Sequence, residues 1–96
     1  RKWCYIRMEG TTFGNVALNI RARDLEKARL TGHVELLTGD ERYLAQVART
    51  FQSVRRSDIV VLIDSYGQAS VAVNNGSAAE VLGLDAGDEV RIRRLG

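Results

Sequence analysis

The sequence predicts an all-β fold: a small antiparallel β-barrel of about seven strands with two short helices. Three observations lead there. Apolar and polar residues alternate through one segment after another. The chain contains no proline, so its tight turns fall to Gly, Asn and Asp. Its two stretches of helical character are each only one or two turns long, too short to form a layer of their own. A closed or nearly closed barrel then leaves few unpaired strand edges. A chain of 96 residues allows one domain with a modest core. No repeat, low-complexity segment or linker divides it, so 1–96 reads as a single unit.

In Lys2–Glu9, Cys4, Ile6 and Met8 share one face and Trp3, Tyr5, Arg7 and Glu9 the other. In Asn15–Ile20, Val16, Leu18 and Ile20 oppose Asn15, Ala17 and Asn19. Gly32–Thr38 and Tyr43–Arg49 form a hairpin around Thr38-Gly39-Asp40-Glu41-Arg42. Ile59–Ile63 is apolar throughout, as in a strand covered on both faces. Ala69–Val73 and Glu89–Arg93 supply two further strands. Asp24 caps a short helix over Leu25–Ala28. Ser77-Ala78-Ala79-Glu80 is a capping box, and Gly83 ends its helix in the left-handed conformation. The turn Leu84–Asp88 leads into the last strand.

Composition excludes several classes. The single cysteine, Cys4, forbids an internal disulfide and a cysteine-based zinc site. His33 is the lone histidine, with no second ligand nearby, and reads as structural. No cofactor or metal is expected. A net charge of +2 is too small to argue for nucleic acid, and Arg91 to Arg94 reads as a solvated strand edge. No apolar run spans a membrane and none resembles a secretory core, so no membrane partner is expected and the location is cytoplasmic. The chain begins inside a strand-like run without Met, as a piece of a longer protein would. No nucleotide-binding loop, nucleophile elbow or histidine–carboxylate pair is present, so no catalytic residue is assigned.

Two segments are unusual for plain strands. In Phe13-Gly14-Asn15-Val16-Ala17-Leu18-Asn19, asparagine recurs on one strand face although strands disfavour it. An aromatic ring beside a carboxamide suits a nucleobase, and the glycine lets backbone approach a ligand. The same pattern also fits a glycine bulge whose asparagines satisfy turn backbone. Asp64-Ser65-Tyr66-Gly67 and Val73-Asn74-Asn75-Gly76-Ser77 bracket another strand. They read either as ligand-facing backbone or as two tight turns and a helix cap.

These stretches carry a resemblance. Phe-Gly-Asn-Val-x-x-Asn-Ile at 13–20, Asp-Leu-Glu-Lys-Ala at 24–28, Asp-Ser-Tyr-Gly at 64–67 and the run 71–90 resemble the C-terminal domain of the S-adenosylmethionine hydroxide adenosyltransferase family. Fluorinating and chlorinating enzymes belong to that family too. The resemblance implies a barrel that binds S-adenosylmethionine or adenosine beside an N-terminal α/β catalytic domain absent from this chain. That domain would come from a neighbouring subunit, in a homotrimer. S-adenosylmethionine would be substrate rather than cofactor: a nucleophile displaces methionine at ribose C5′ and leaves adenosine. Phe13 and Asn15 would contact adenine, with backbone from Val73 to Asn75 completing that edge. Ser65 and Tyr66 would meet the methionine end. Halogenating members carry Arg at the Tyr66 position and Trp at the Ala17 position, so the resemblance favours a hydrolase-like relative, inactive as this chain alone. A free-standing protein-interaction barrel, its exposed ligand face reused to bind protein, is the alternative; Trp3 and Tyr5 are candidates for a surface that a partner domain covers. A nucleic-acid-binding barrel ranks last.

Overall fold

The computed structural model describes residues 3–12, 14–50, 59–73 and 76–95. Its elements are β1 (Cys4–Thr12), β2 (Asn15–Arg21), α1 (Ala22–Lys27), β3 (His33–Thr38), β4 (Glu41–Ala48), β5 (Ile59–Ile63), β6 (Gln68–Val73), α2 (Ala78–Leu82) and β7 (Glu89–Arg94). The strands close into a barrel in the order β1-β2-β6-β5-β4-β3-β7. The expected seven-strand barrel is thus present, with one addition. Every pairing is antiparallel except β4–β5, which is parallel. In that pair Ala45 lies beside Ile59 and Ala48 beside Leu62, so β4 and β5 run in the same direction.

The alternating residues fill the interior. Ile6, Met8, Val16, Leu18, Val34, Leu36, Val61, Val71, Val90 and Ile92 are all buried in one core, with Cys4 packed against it. The two helices stop the barrel's mouths. Leu25 of α1 and the following Leu30 cover one end, and Ala78, Leu82 and Leu84 cover the other.

Three local expectations shift. The β3–β4 hairpin is tighter than its sequence suggests: Thr38 pairs with Glu41, leaving only Gly39 and Asp40 in the loop. Gly39 makes this possible by taking φ 60°, a conformation that two-residue hairpins require and other side chains resist. Helix α1 starts at Ala22 rather than after Asp24. Asp24 sits inside the first turn, where its carboxylate accepts from the Arg21 N–H at 3.0 Å, and Gly67 C=O accepts from Ala22 N–H at 2.7 Å. A carbonyl from the β5–β6 turn takes the N–H that a capping side chain would otherwise accept. At α2, Ser77 is the cap as expected, its Oγ accepting from Glu80 N–H at 3.4 Å. Gly83 closes the helix at φ 64°.

Two of the three arginines of β7 are committed. Arg93 stacks 4.3 Å from the Trp3 ring centre, and Arg91 5.2 Å from that of Tyr5. Arg93 Nε also donates to Glu35 at 2.7 Å, and Glu35 faces Arg42 at 3.9 Å. This ladder crosses the outside of β1, β7, β3 and β4. It engages one face of each ring and two of the strand's arginines in contacts within the barrel.

Candidate functional site

The site is assembled on strands β2 and β6. Val16 pairs with Val71 and Ala17 with Ser70, so the Asn15 end of β2 lies beside the Val73 end of β6. Gly14 turns the chain between β1 and β2 at φ 82°. Its carbonyl accepts from Ala79 N–H, in the first turn of α2, at 3.3 Å. A Cβ on Gly14 would stand 3.4 Å from the Cα, Cβ and Oγ of Ser77. Backbone therefore meets backbone here, and the turn at Gly14 is latched onto the start of α2. The two segments singled out in the sequence are joined by this latch.

Alternation along β2 sends Val16 and Leu18 inward and leaves Asn15 and Ala17 half-buried on the outer face. On β6, Ser70 is half-buried beside Ala17, and Gln68 continues the row. The outer strip is consequently lined by small and carboxamide side chains, a shallow track with hydrogen-bonding edges. Val73 packs its side chain against the core, so any role it has in the site falls to its backbone. Phe13 and Asn75 lie outside the described residues.

Asn19 has a different task. Strand β1 bulges between Met8 and Gly10, and Asn19 Oδ1 accepts from the Arg7 N–H at 2.8 Å. It satisfies a donor that the bulge would otherwise strand. One of the two conspicuous asparagines is thus structural.

Ser65 and Tyr66 sit at the far end of β6, in the β5–β6 turn, both exposed. Asp64 shapes that turn, its Oδ1 accepting from Tyr66 N–H at 2.8 Å and Gln68 N–H at 2.9 Å. Five residue steps of strand separate Gln68 from Val73, a rise of about 17 Å. The predicted residues therefore fall into two groups at opposite ends of one strand pair. A ligand touching both must lie extended along β6. Replacing Asp64 with Ala removes both bonds; we expect a loss of about 1–2 kcal/mol in urea unfolding and faster amide exchange at Tyr66 and Gln68. Unchanged exchange at both would show that the turn holds its shape without Asp64.

Three residues near this turn escaped the sequence reading. Arg21 donates through its guanidinium to the Tyr66 carbonyl, pairs in register with Gln68 and is exposed. Gln68 Nε2 donates in turn to Glu9 Oε1 at 3.2 Å. With Asn19 they line an open groove of about 360 Å³. The local pattern ends the strand at Ile20 and caps the helix at Asp24, which leaves Arg21 in an apparent linker. His33 is on β3, which neighbours neither β2 nor β6, and is exposed. Among the described residues, no group of three or more His, Cys, Asp or Glu is placed to hold a metal, and no helix is long and apolar enough to cross a membrane.

Comparison with known proteins adds to this picture. The family model described as the SAM hydroxide adenosyltransferase C-terminal domain matches residues 12–91. An (R)-S-adenosyl-L-methionine hydrolase of Salinispora tropica is 39% identical over 80 residues, covering 83% of this chain and 28% of that protein. The protein of the same name from Salinispora arenicola is 42% identical over 45 residues, or 47% of this chain and 17% of that one. Among solved structures, an uncharacterized conserved protein from Thermotoga maritima superposes with a TM-score of 0.87 at 32% identity. That match covers 98% of this chain and 37% of the other. A conserved hypothetical protein from Thermus thermophilus gives a TM-score of 0.66 at 33% identity, covering 93% and 34%. The chain spans well under half the length of each of these relatives.

Proposed function

Because the chain belongs to the SAM hydroxide adenosyltransferase C-terminal domain family, we propose that it is the adenosine-holding wall of an S-adenosylmethionine hydrolase. In this reading the outer face of β2 and β6 binds S-adenosylmethionine, with its adenine at the latched turn. Asn15 offers both a donor and an acceptor to the adenine edge. Phe13 covers the ring, and backbone from Val73 to Asn75 completes the edge. Ser65 and Tyr66 meet the methionine end. The observation that carries the reading is the latch from Gly14 C=O to Ala79 N–H, which holds the two motifs side by side.

The chemistry belongs to residues outside this chain, in an N-terminal α/β domain that a neighbouring subunit supplies in a trimer. There a water-derived hydroxide attacks ribose C5′ and methionine leaves. The β2–β6 face itself offers carboxamides, a hydroxyl and small side chains, a composition suited to holding rather than to proton transfer. We accordingly expect no adenosine release when the 96-residue chain is incubated with S-adenosylmethionine.

Calorimetric titration with adenosine tests the binding role directly. Weak binding is expected, since one wall of the site is being measured. Asn15→Ala should lower the affinity about tenfold, the cost of leaving a base edge unpaired. Equal affinity in the parent and Asn15→Ala would remove Asn15 from the site.

A further inference from the structure

The geometry points to the groove beside the β5–β6 turn as a receptor for a zwitterionic α-amino acid group, with Arg21 taking the carboxylate and Glu9 the ammonium. The inference rests on reading the β2–β6 face as the adenosine site, and it names what recognises the other end of that ligand. Arg21 and Glu9 flank one carboxamide: Gln68 is the register partner of Arg21 and donates to Glu9 at 3.2 Å. The two opposite charges line one groove of about 360 Å³, with Asn19 and Gln68 between them. Among the described residues neither enters an ion pair, although Arg42, Arg91 and Arg93 all do. Opposite charges held apart across one groove present a dipole. An α-amino acid carries the matching dipole, with its two charges on one carbon.

Arg21 is well suited to the carboxylate. Its guanidinium is anchored by the Tyr66 carbonyl, which leaves the rest of the fork available. A Cβ on Gly67 would approach Arg21 Nη2 to 3.7 Å, so the guanidinium lies directly over the turn. Tyr66 has a hydroxyl but no charge; Arg21 brings a cation to the same turn from a different strand. The position also suits the ligand's length. Adenine at the Asn15 end and a zwitterion at Gln68 place the molecule extended along β6.

Three ligands separate the contributions: adenosine, S-adenosylmethionine and decarboxylated S-adenosylmethionine, which keeps the ammonium and lacks the carboxylate. The parent chain should bind S-adenosylmethionine about tenfold more tightly than the decarboxylated form, the worth of one charge-assisted carboxylate contact. Arg21→Gln should erase that difference while leaving adenosine and the decarboxylated ligand unaffected, and Arg21→Lys should restore part of it. Glu9→Gln should weaken both ammonium-bearing ligands several-fold, the scale of an exposed charge pair, and leave adenosine unchanged. If Arg21→Gln weakens all three ligands equally, Arg21 only shapes the turn and the proposal is wrong. A parent that does not distinguish the carboxylate overturns it equally. Loss of adenosine binding alone, with the carboxylate preference intact, would defeat the adenine reading and not the groove; a parent binding none of the three defeats both.

Discussion

Gly14→Val should unlatch the site and cost the chain about 2 kcal/mol of stability. The residue sits at φ 82°, a conformation a β-branched side chain adopts only under strain. Its new Cβ would press on the Cα and Cβ of Ser77 at 3.4 Å, and one of its two γ-carbons must find room beyond that contact. The strain can be relieved only by moving the turn away from α2, which breaks the Gly14–Ala79 hydrogen bond. The midpoint of thermal unfolding should fall by roughly 10 °C for a domain of this size. Adenosine affinity should fall further than Asn15→Ala alone lowers it, because both motifs lose their relative placement. Gly10→Ala is the control. Nothing lies within 4 Å of a Cβ there and its φ is not positive, so the change should stay within about 0.5 kcal/mol. A Gly14→Val chain that melts with the parent and binds adenosine as well would show that the latch is incidental.

Leu18→Ala should be strongly destabilising, by about 2–5 kcal/mol. Leu18 is fully buried and projects from the inner face of β2, the strand whose outer face carries Asn15 and Ala17. The barrel closes around it, so its neighbours cannot collapse without changing strand register, and a cavity remains. For a small domain that loss lowers the unfolding midpoint by roughly 10–40 °C. Urea unfolding at fixed temperature measures it directly. Saturating adenosine should recover part of the loss, since a ligand that binds only the folded chain stabilises it by mass action. A Leu18→Ala chain within about 1 kcal/mol of the parent would mean that the interior repacks more freely than a closed barrel should allow.

Much of this molecule is legible in its sequence. The inward positions 4, 6 and 8, then 16 and 18, follow from strict alternation, which has only one stable solution when one face is buried. Ser77 and Gly83 mark α2 because cap chemistry is local: the groups they satisfy lie within four residues. The family also shows through motifs at 13–20, 64–67 and 71–90 that are contiguous in the chain. The misreadings share a cause. Asp24 looks like an N-cap until the helix starts at Ala22, whose N–H donates to Gly67 in the β5–β6 turn. Arg91 and Arg93 look like a solvated basic edge until the register of β1 against β7 lays them over Tyr5 and Trp3. Asn19 stays open between a ligand contact and a bulge partner until the β1 bulge claims it.

The sequence by itself determined the small barrel, its inward faces, its capped second helix and the two motifs that an adenosine-type ligand would use. Those depend on side-chain periodicity and on short-range hydrogen bonding, both readable over a few residues. Only the tertiary structure decided the parallel β4–β5 pairing, the latch between Gly14 and α2, and the meeting of Arg21, Gln68 and Glu9 at one groove. Each of these is a contact between residues far apart in the chain, and the partner is chosen when seven strands must satisfy one another's backbone groups around a closed ring. That closure also sets the candidate residues along β6, with Asn15 and Val73 at one end and Arg21, Gln68 and Glu9 at the other.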